Sequence, residues 1–312
     1  MRDVTVVRLR RPPSSQPSPR GETVQPTGFS VLIGVFDSGH GGLTVLRALV
    51  DAAPTRPFVY LGDHGAAPYG PRDEEDIHRL TLRGMEHLFD QGCRLVVIAC
   101  NTAAAVSLRR LQQEWLPTAY PGRNVLGVLV PMVEAITRVP WMIDTVPPDH
   151  LAEPRTVGVF ATLATVKSGS FPREIGKRAP SVRVVQQACP DLVPLIERGA
   201  PDSELAPAVA GYVAALIDRL EGQSLDTVVL GCTHYPLVAH LFSAALPPGV
   251  EILSQPLLSA RSLEQYLDRH PEYRPEPGET GLRFFTTGSA PLVSELAGRF
   301  FGHPTPFERL SP

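Results

Sequence analysis

The chain has 312 residues, with 29 basic against 32 acidic side chains and 43% hydrophobic residues. That is twice the ~150 residues of one ordinary domain, so two globular domains are expected. The net charge of −3 supplies no broad cationic face, so nucleic acid is not an expected partner. No apolar run approaches the ~18 residues of a membrane span, so no membrane role is expected. The only lysines are Lys167 and Lys177, which leaves almost no candidate for Schiff-base chemistry. Cys93, Cys100, Cys189 and Cys232 form no C-x-x-C pair. They read as free thiols of a reducing, cytoplasmic compartment. No signal peptide is visible, because Arg8, Arg10 and Arg11 lead into prolines and serines rather than an apolar stretch.

Residues 1–29 open the chain with Pro12, Pro13, Ser14, Ser15, Pro17, Ser18 and Pro19. This composition predicts a disordered extension. Unbroken apolar runs come next, at Val31–Phe36, Phe58–Leu61, Leu95–Ala99 and Val125–Val130, as expected of buried parallel strands. Between them, Leu43, Leu46, Leu49 and Val50 share one helical face, as do Ile77, Leu80, Gly84 and Leu88. The pattern then recurs at Thr156–Phe160, Val182–Val185, Thr227–Leu230 and Val250–Leu253, with a helix carrying Val209, Val213, Leu216 and Leu220. The wording also recurs. Ile33–Phe36 answers to Val157–Phe160 at an offset of 124, and Val96–Thr102 answers to Val228–His234 at an offset of 132. The expected fold is α/β: two similar domains with mainly parallel sheets flanked by helices, related by a pseudo-twofold axis, with the active site between them.

The repeat places Cys100 and Cys232 at matching strand-to-helix junctions, where ligands bind in such sheets. A helix N-terminus there is expected to favour the thiolate. Taken singly, each cysteine is equally a small buried hydrophobe. Taken as a pair, they suit removal of a proton from one face of a carbon and delivery to the other, which inverts a stereocentre without a cofactor. The loop Asp37–Gly42 can bring backbone amides close to a carboxylate, and the matching loop Ala161–Thr165 offers hydroxyls. Asp37 and His234 stand where each could tune a thiol. A zinc site from Cys100, Cys232 and His234 lacks the usual ligand spacing, so no metal is expected.

These segments resemble the glutamate racemases of the cofactor-independent aspartate/glutamate racemase superfamily. The resemblance rests on GVFDSGHGGLTVLRAL (34–49), YLGD (60–63), PYG (68–70), VIACNTAAA (97–105), TLATVKS (162–168), CPDLVPLIERG (189–199), VVLGCTHYPLV (228–238) and FFTTGSA (284–290). It implies racemisation of glutamate for peptidoglycan synthesis, with no cofactor. Cys100, assisted by Asp37, would serve the D-enantiomer, and Cys232, with His234 and Glu197, the L-enantiomer. The substrate contacts implied are Asp37, Ser38, Pro68, Tyr69, Gly70, Asn101, Thr102, Thr162, Thr165, Thr233 and His234. The resemblance further implies a first domain of residues 30–130 plus 242–312, a second of 131–241, and a homodimer. Ala161, His40, His64 and Gln255 depart from the family pattern. The alternatives are an aspartate or other amino-acid racemase of the superfamily, a decarboxylase or isomerase of similar fold, and a non-catalytic binding protein on the same scaffold.

Overall fold

In the computed structural model the described residues are 31–141, 154–276 and 280–310. The expected extension, residues 1–29, lies outside them. The first half runs β1 (Leu32–Asp37), α1 (Gly42–Ala52), β2 (Pro57–Gly62), α2 (Glu74–Asp90), β3 (Cys93–Ile98), α3 (Asn101–Arg110), α4 (Leu116–Ala119), β4 (Asn124–Gly127) and α5 (Leu129–Thr137). The second runs β5 (Arg155–Ala161), α6 (Leu163–Ser168), α7 (Ser170–Arg178), β6 (Val182–Ala188), α8 (Leu192–Glu197), α9 (Asp202–Asp218), β7 (Thr227–Gly231), α10 (Ala239–Ala245) and β8 (Glu251–Leu253). The chain ends through α11 (Gln255–Arg269), β9 (Gly281–Thr286), α12 (Ala290–Phe301) and β10 (Glu308–Arg309).

The repeat seen in the wording is a repeat of topology. One sheet has the order β10-β9-β2-β1-β3-β4 and the other β6-β5-β7-β8. The core of each is therefore second, first, third, fourth strand, all parallel. The register repeats as well. Gly34 of β1 faces Val96 of β3, and Gly158 of β5 faces Val228 of β7. In such a sheet the crevice opens beyond the first and third strands, where neighbouring connections diverge to opposite sides. Both cysteines of interest lie there.

Sequence detail explains the local elements. β1 and β2 are buried along their whole length, which is why their runs are apolar without alternation. α2 starts at Asp73, whose carboxylate accepts the Asp76 N–H at 2.8 Å, and acids fill its first turn. One apolar cluster runs from Leu46 of α1 through Leu263 of α11 to Leu216 and Leu230 of the second half. The two halves thus share part of their core.

Two expectations need correction. Val125–Val130 is not one strand: β4 ends at Gly127 and Leu129 already belongs to α5. A buried apolar run has no period that separates strand from helix. The boundary expected at 241/242 falls inside α10, and β8 pairs with β7 in the second sheet. The return to the first half occurs at α11, and β9 then adds beside β2. Among the described residues no helix is long and apolar enough to cross a membrane.

Candidate active site

A cavity of about 150 Å³ lies beyond the strand ends of both halves. From the first half it is lined by Ser38, Pro68, Tyr69, Gly70, Cys100, Asn101 and Thr102, and from the second by Thr162, Cys232, Thr233 and His234. Eleven sequence-predicted site residues therefore meet in one place. The other three stand behind the lining, each bonded to it. The hydroxyl of Thr233 donates to Asp37 Oδ2 at 3.3 Å. Thr165 is 3.0 Å from Thr162 and 3.4 Å from Thr102, hydroxyl to hydroxyl. Glu197 Oε1 is 2.9 Å from His234 Nε2. Sequence reasoning missed Pro71, Leu163, Cys189, Pro190, Val193 and Pro194 as lining. Cys189 directly follows β6, so its strand-end position was the available signal.

Close approach, across the seam at Gly41 and within the loop at Gly42, explains these two glycines after Asp37. A Cβ on Gly41 would stand 2.3 Å from Thr233 Oγ1 and 2.4 Å from His234 Nδ1, and one on Gly42 2.4 Å from Asp37 Cβ. Thr44 locks the same contact, donating its hydroxyl to the backbone oxygens of Gly41 at 2.9 Å and Thr233 at 3.0 Å. Thr102 and Thr162 meet across the seam at 2.9 Å. Tyr69 is fixed by donating to Asp63 at 2.6 Å, and Asp63 also accepts from Thr287 at 2.6 Å.

Cys100 is itself the N-cap of α3. Its sulfur accepts the Ala103 N–H at 3.4 Å and is 3.5 Å from Ser38 Oγ. The expected lowering of the thiol is not found. Burial pushes Cys100 up to about 11, the Asp37 charge adds to this, and the bonds from Ser38 and Ala103 only partly offset it. Burial likewise holds Cys232 well above the ordinary thiol value, against the backbone N–H of His234. Beyond Cys232 the chain makes a single turn at Tyr235–Val238 with Pro236 in it, not an α-helix, so little dipole acts there. Desolvation outweighs one amide bond at either sulfur.

Asp37 is completely buried, and burial raises its carboxyl to about 6. The His234 charge, the N–H groups of Gly39 and Gly42 and the Thr233 hydroxyl restrain that rise. Burial also opposes the charge on Glu197, but bonds from His234 and His40 overcome it and hold the carboxyl far below its usual value. His234 faces the Cys232 sulfur with Nδ1 at 3.8 Å. In the neutral ring, with Nε2–H donating to Glu197, the Nδ1 lone pair is free to take a proton from Cys232, and it is the imidazolium so formed whose charge acts on Asp37.

The residues expected to depart from the family pattern have definite places. Gln255 is buried and makes a reciprocal amide pair with Asn101, at 2.6 and 2.5 Å. His64 bonds Gly62 O and Thr286 Oγ1 at 3.0 and 2.9 Å, and burial brings its ring down to about 3. Ala161 ends β5. Among the described residues no three His, Cys, Asp or Glu side chains converge as metal ligands would.

A repeated α/β unit with a thiol from each half at one cavity defines the class, and the comparisons agree. The chain belongs to the Asp/Glu/hydantoin racemase family, which it matches over residues 33–260. A glutamate racemase of Phenylobacterium zucineum is 49% identical over 289 residues, covering 88% of this chain and 99% of that protein. The glutamate racemase isoform RacE1 of Bacillus anthracis superposes with a TM-score of 0.78 at 29% identity, over 90% of this chain and 98% of that one. The Francisella tularensis glutamate racemase in complex with D-glutamate gives 0.76 at 25% identity, over 90% and 97%.

Proposed function

We propose that the protein interconverts L- and D-glutamate without a cofactor, using Cys100 and Cys232 as its two acid/base groups. The observation that carries this reading is the pair of thiols at equivalent positions of a repeated unit, both lining one cavity. The names of the relatives and the D-glutamate bound to one of them support glutamate as the substrate. One thiolate removes the α-proton, and the electron pair delocalises into the adjacent carboxylate. The opposite thiol then delivers its proton to the other face, so each turnover exchanges the protonation states of the two sulfurs.

Buried thiols are neutral while the cavity is empty, and the substrate supplies the activation. Its α-ammonium brings a positive charge between the sulfurs, which favours a thiolate. His234, backed by Glu197, takes the Cys232 proton, while the Asp37 carboxylate beside Cys100 attracts the substrate's ammonium. The hydroxyls of Ser38, Thr102, Thr162 and Thr233 and the amide of Asn101 receive the carboxylates. On the same reading the product serves peptidoglycan synthesis in the cytoplasm, and the working unit is a homodimer.

Circular dichroism of L- and D-glutamate, and separately of the aspartates, incubated with chelator-treated protein free of pyridoxal phosphate tests the proposal. Both glutamate enantiomers should decay to the racemate, and the aspartates far more slowly. Activity that vanishes with chelator and returns with a metal would sink the mechanism.

A further inference from the structure

Glu197 stands at the seam between the halves, and the first half grips it from two directions. Arg299, on α12, donates through Nη1 to the backbone oxygen of Glu197 at 3.1 Å and through Nη2 to that of Ile196 at 3.3 Å. The carboxylate atom Oε1, bonded to His234 Nε2 at 2.9 Å, also faces His40 Nδ1 at 3.7 Å. The two histidines share an aromatic ring as well. Phe300 stacks on His40 at 5.4 Å and meets His234 edge-on at 5.5 Å.

His40 is held firmly. It is buried in the loop after β1, and its Nε2 lies 3.2 Å from the Val293 carbonyl on α12. A carbonyl only accepts, so Nε2 carries a proton there, and Nδ1 holds the Glu197 carboxylate when it carries the second, in the imidazolium form. His64 closes the remaining side, ring to ring at 4.3 Å. The Glu197 side chain is by contrast less enclosed: it stands on the last residue of the short helix α8, and Gly199 lies just beyond it in the left-handed region at φ +75°. Its side chain is 34% exposed, so with His234 alone it would be free to swing toward water.

We propose that His40 is a positioning residue for the Cys232 arm. Anchored in the first half, it holds the Glu197 carboxylate where His234 needs it, and thereby fixes the ring that faces the Cys232 sulfur. His40 does not line the cavity; it acts through Glu197 and His234. The inference deepens the racemase reading and rests on it.

Two isosteres separate this role from simple packing. His40→Asn places an amide nitrogen where Nδ1 stands and can still reach Glu197. His40→Gln places one where Nε2 stands and keeps the bond to Val293. For His40→Gln, kcat/KM should fall about tenfold, while His40→Asn should stay within about threefold. Primary isotope effects give a second readout. Only proton transfer at Cys232 slows, so the effect on α-deuterated L-glutamate should rise in His40→Gln and that on the D-enantiomer should fall. Wild-type kinetics in His40→Gln would overturn the inference. So would an equal loss in both variants with unchanged isotope effects, which would assign His40 to packing of α12. Should His40→Asn fail to fold, the isotope effects of His40→Gln decide alone. A wild-type protein that racemises neither enantiomer is a different result and overturns the racemase reading instead.

Discussion

Replacing Asp37 by asparagine should stabilise the protein and cripple it. Burial lifts the Asp37 carboxyl from 3.8 to about 6. A shift of about two units, at ~1.4 kcal/mol each, corresponds to about 3 kcal/mol. The folded state holds the proton more tightly than the unfolded chain does. Between pH 4 and 6 the unfolded chain has therefore lost a proton that the folded protein retains. Stability from this group is complete below about pH 4 and is lost as the pH rises through about 6. Asparagine keeps the shape and an acceptor for the Gly39 N–H, now 2.9 Å from Oδ1, and removes the charge. The variant should thus gain up to about 3 kcal/mol at pH 7 to 8, less about 1 kcal/mol for the weaker hydrogen bonds. At pH 4 the two proteins should be nearly equal. Urea unfolding across that range measures the difference. The same variant should lose at least ~100-fold in kcat/KM, together with the acid limb near pH 6 of the parent's profile. Equal stability throughout, or a gain that does not shrink toward pH 4, would refute the reasoning.

Cys100→Ser and Cys232→Ser should each lower racemisation by at least ~1000-fold, because a serine hydroxyl is too weak an acid to supply an anionic base. Residual α-proton exchange, followed by mass spectrometry in deuterated water, should survive only with the L-enantiomer in Cys100→Ser and only with the D-enantiomer in Cys232→Ser. Racemisation near the wild-type rate in either would make that cysteine structural. Gly41→Ala drives a methyl into Thr233 and His234, which should cost about 1–3 kcal/mol in stability and about 100-fold in kcat/KM by moving the Cys232 arm. Thermal melting and initial rates check both effects.

Burial made much of this legible in the sequence. Strands that are covered on both faces must be apolar throughout, so β1, β2, β3, β5 and β7 announced themselves as runs. Where burial and conformation part company, the sequence was ambiguous: Val128–Val130 is as apolar as a strand but turns into α5. The site was legible because its residues sit at strand ends marked by the repeat. Glu197 came only from the family resemblance, since nothing local shows that α8 ends against a histidine from another element. The protonation of the thiols could not be read at all. It depends on how completely two halves close over the sulfurs, which is a property of packing and not of the Cys-Asn-Thr or Cys-Thr-His wording.

The repeat also shows where symmetry stops. By the offset of 124 that relates the first strands, the counterpart of Asp37 is Ala161, and by the offset of 132 that relates the cysteines, that of His234 is Thr102. Each half therefore carries one ionisable helper that the other lacks. Both helpers gather on the same side, for His234 is the leading charge restraining the rise of Asp37, and Thr233 bonds Asp37 directly. Cys100 is left with a neutral hydroxyl and an amide as its hydrogen-bond partners. On the proposed mechanism, two sulfurs placed by one duplicated backbone lose and regain protons by different means: Cys232 through an imidazole backed by a carboxylate, Cys100 beside a buried carboxylate whose charge resists thiolate formation. A racemase needs both faces to work at matched free energy, and the substrate's own ammonium can provide this, because it approaches both thiols at once. The asymmetry then lies in the barriers rather than in the overall equilibrium, so substitutions around Glu197 should change which proton transfer limits the rate without biasing the final ratio of enantiomers.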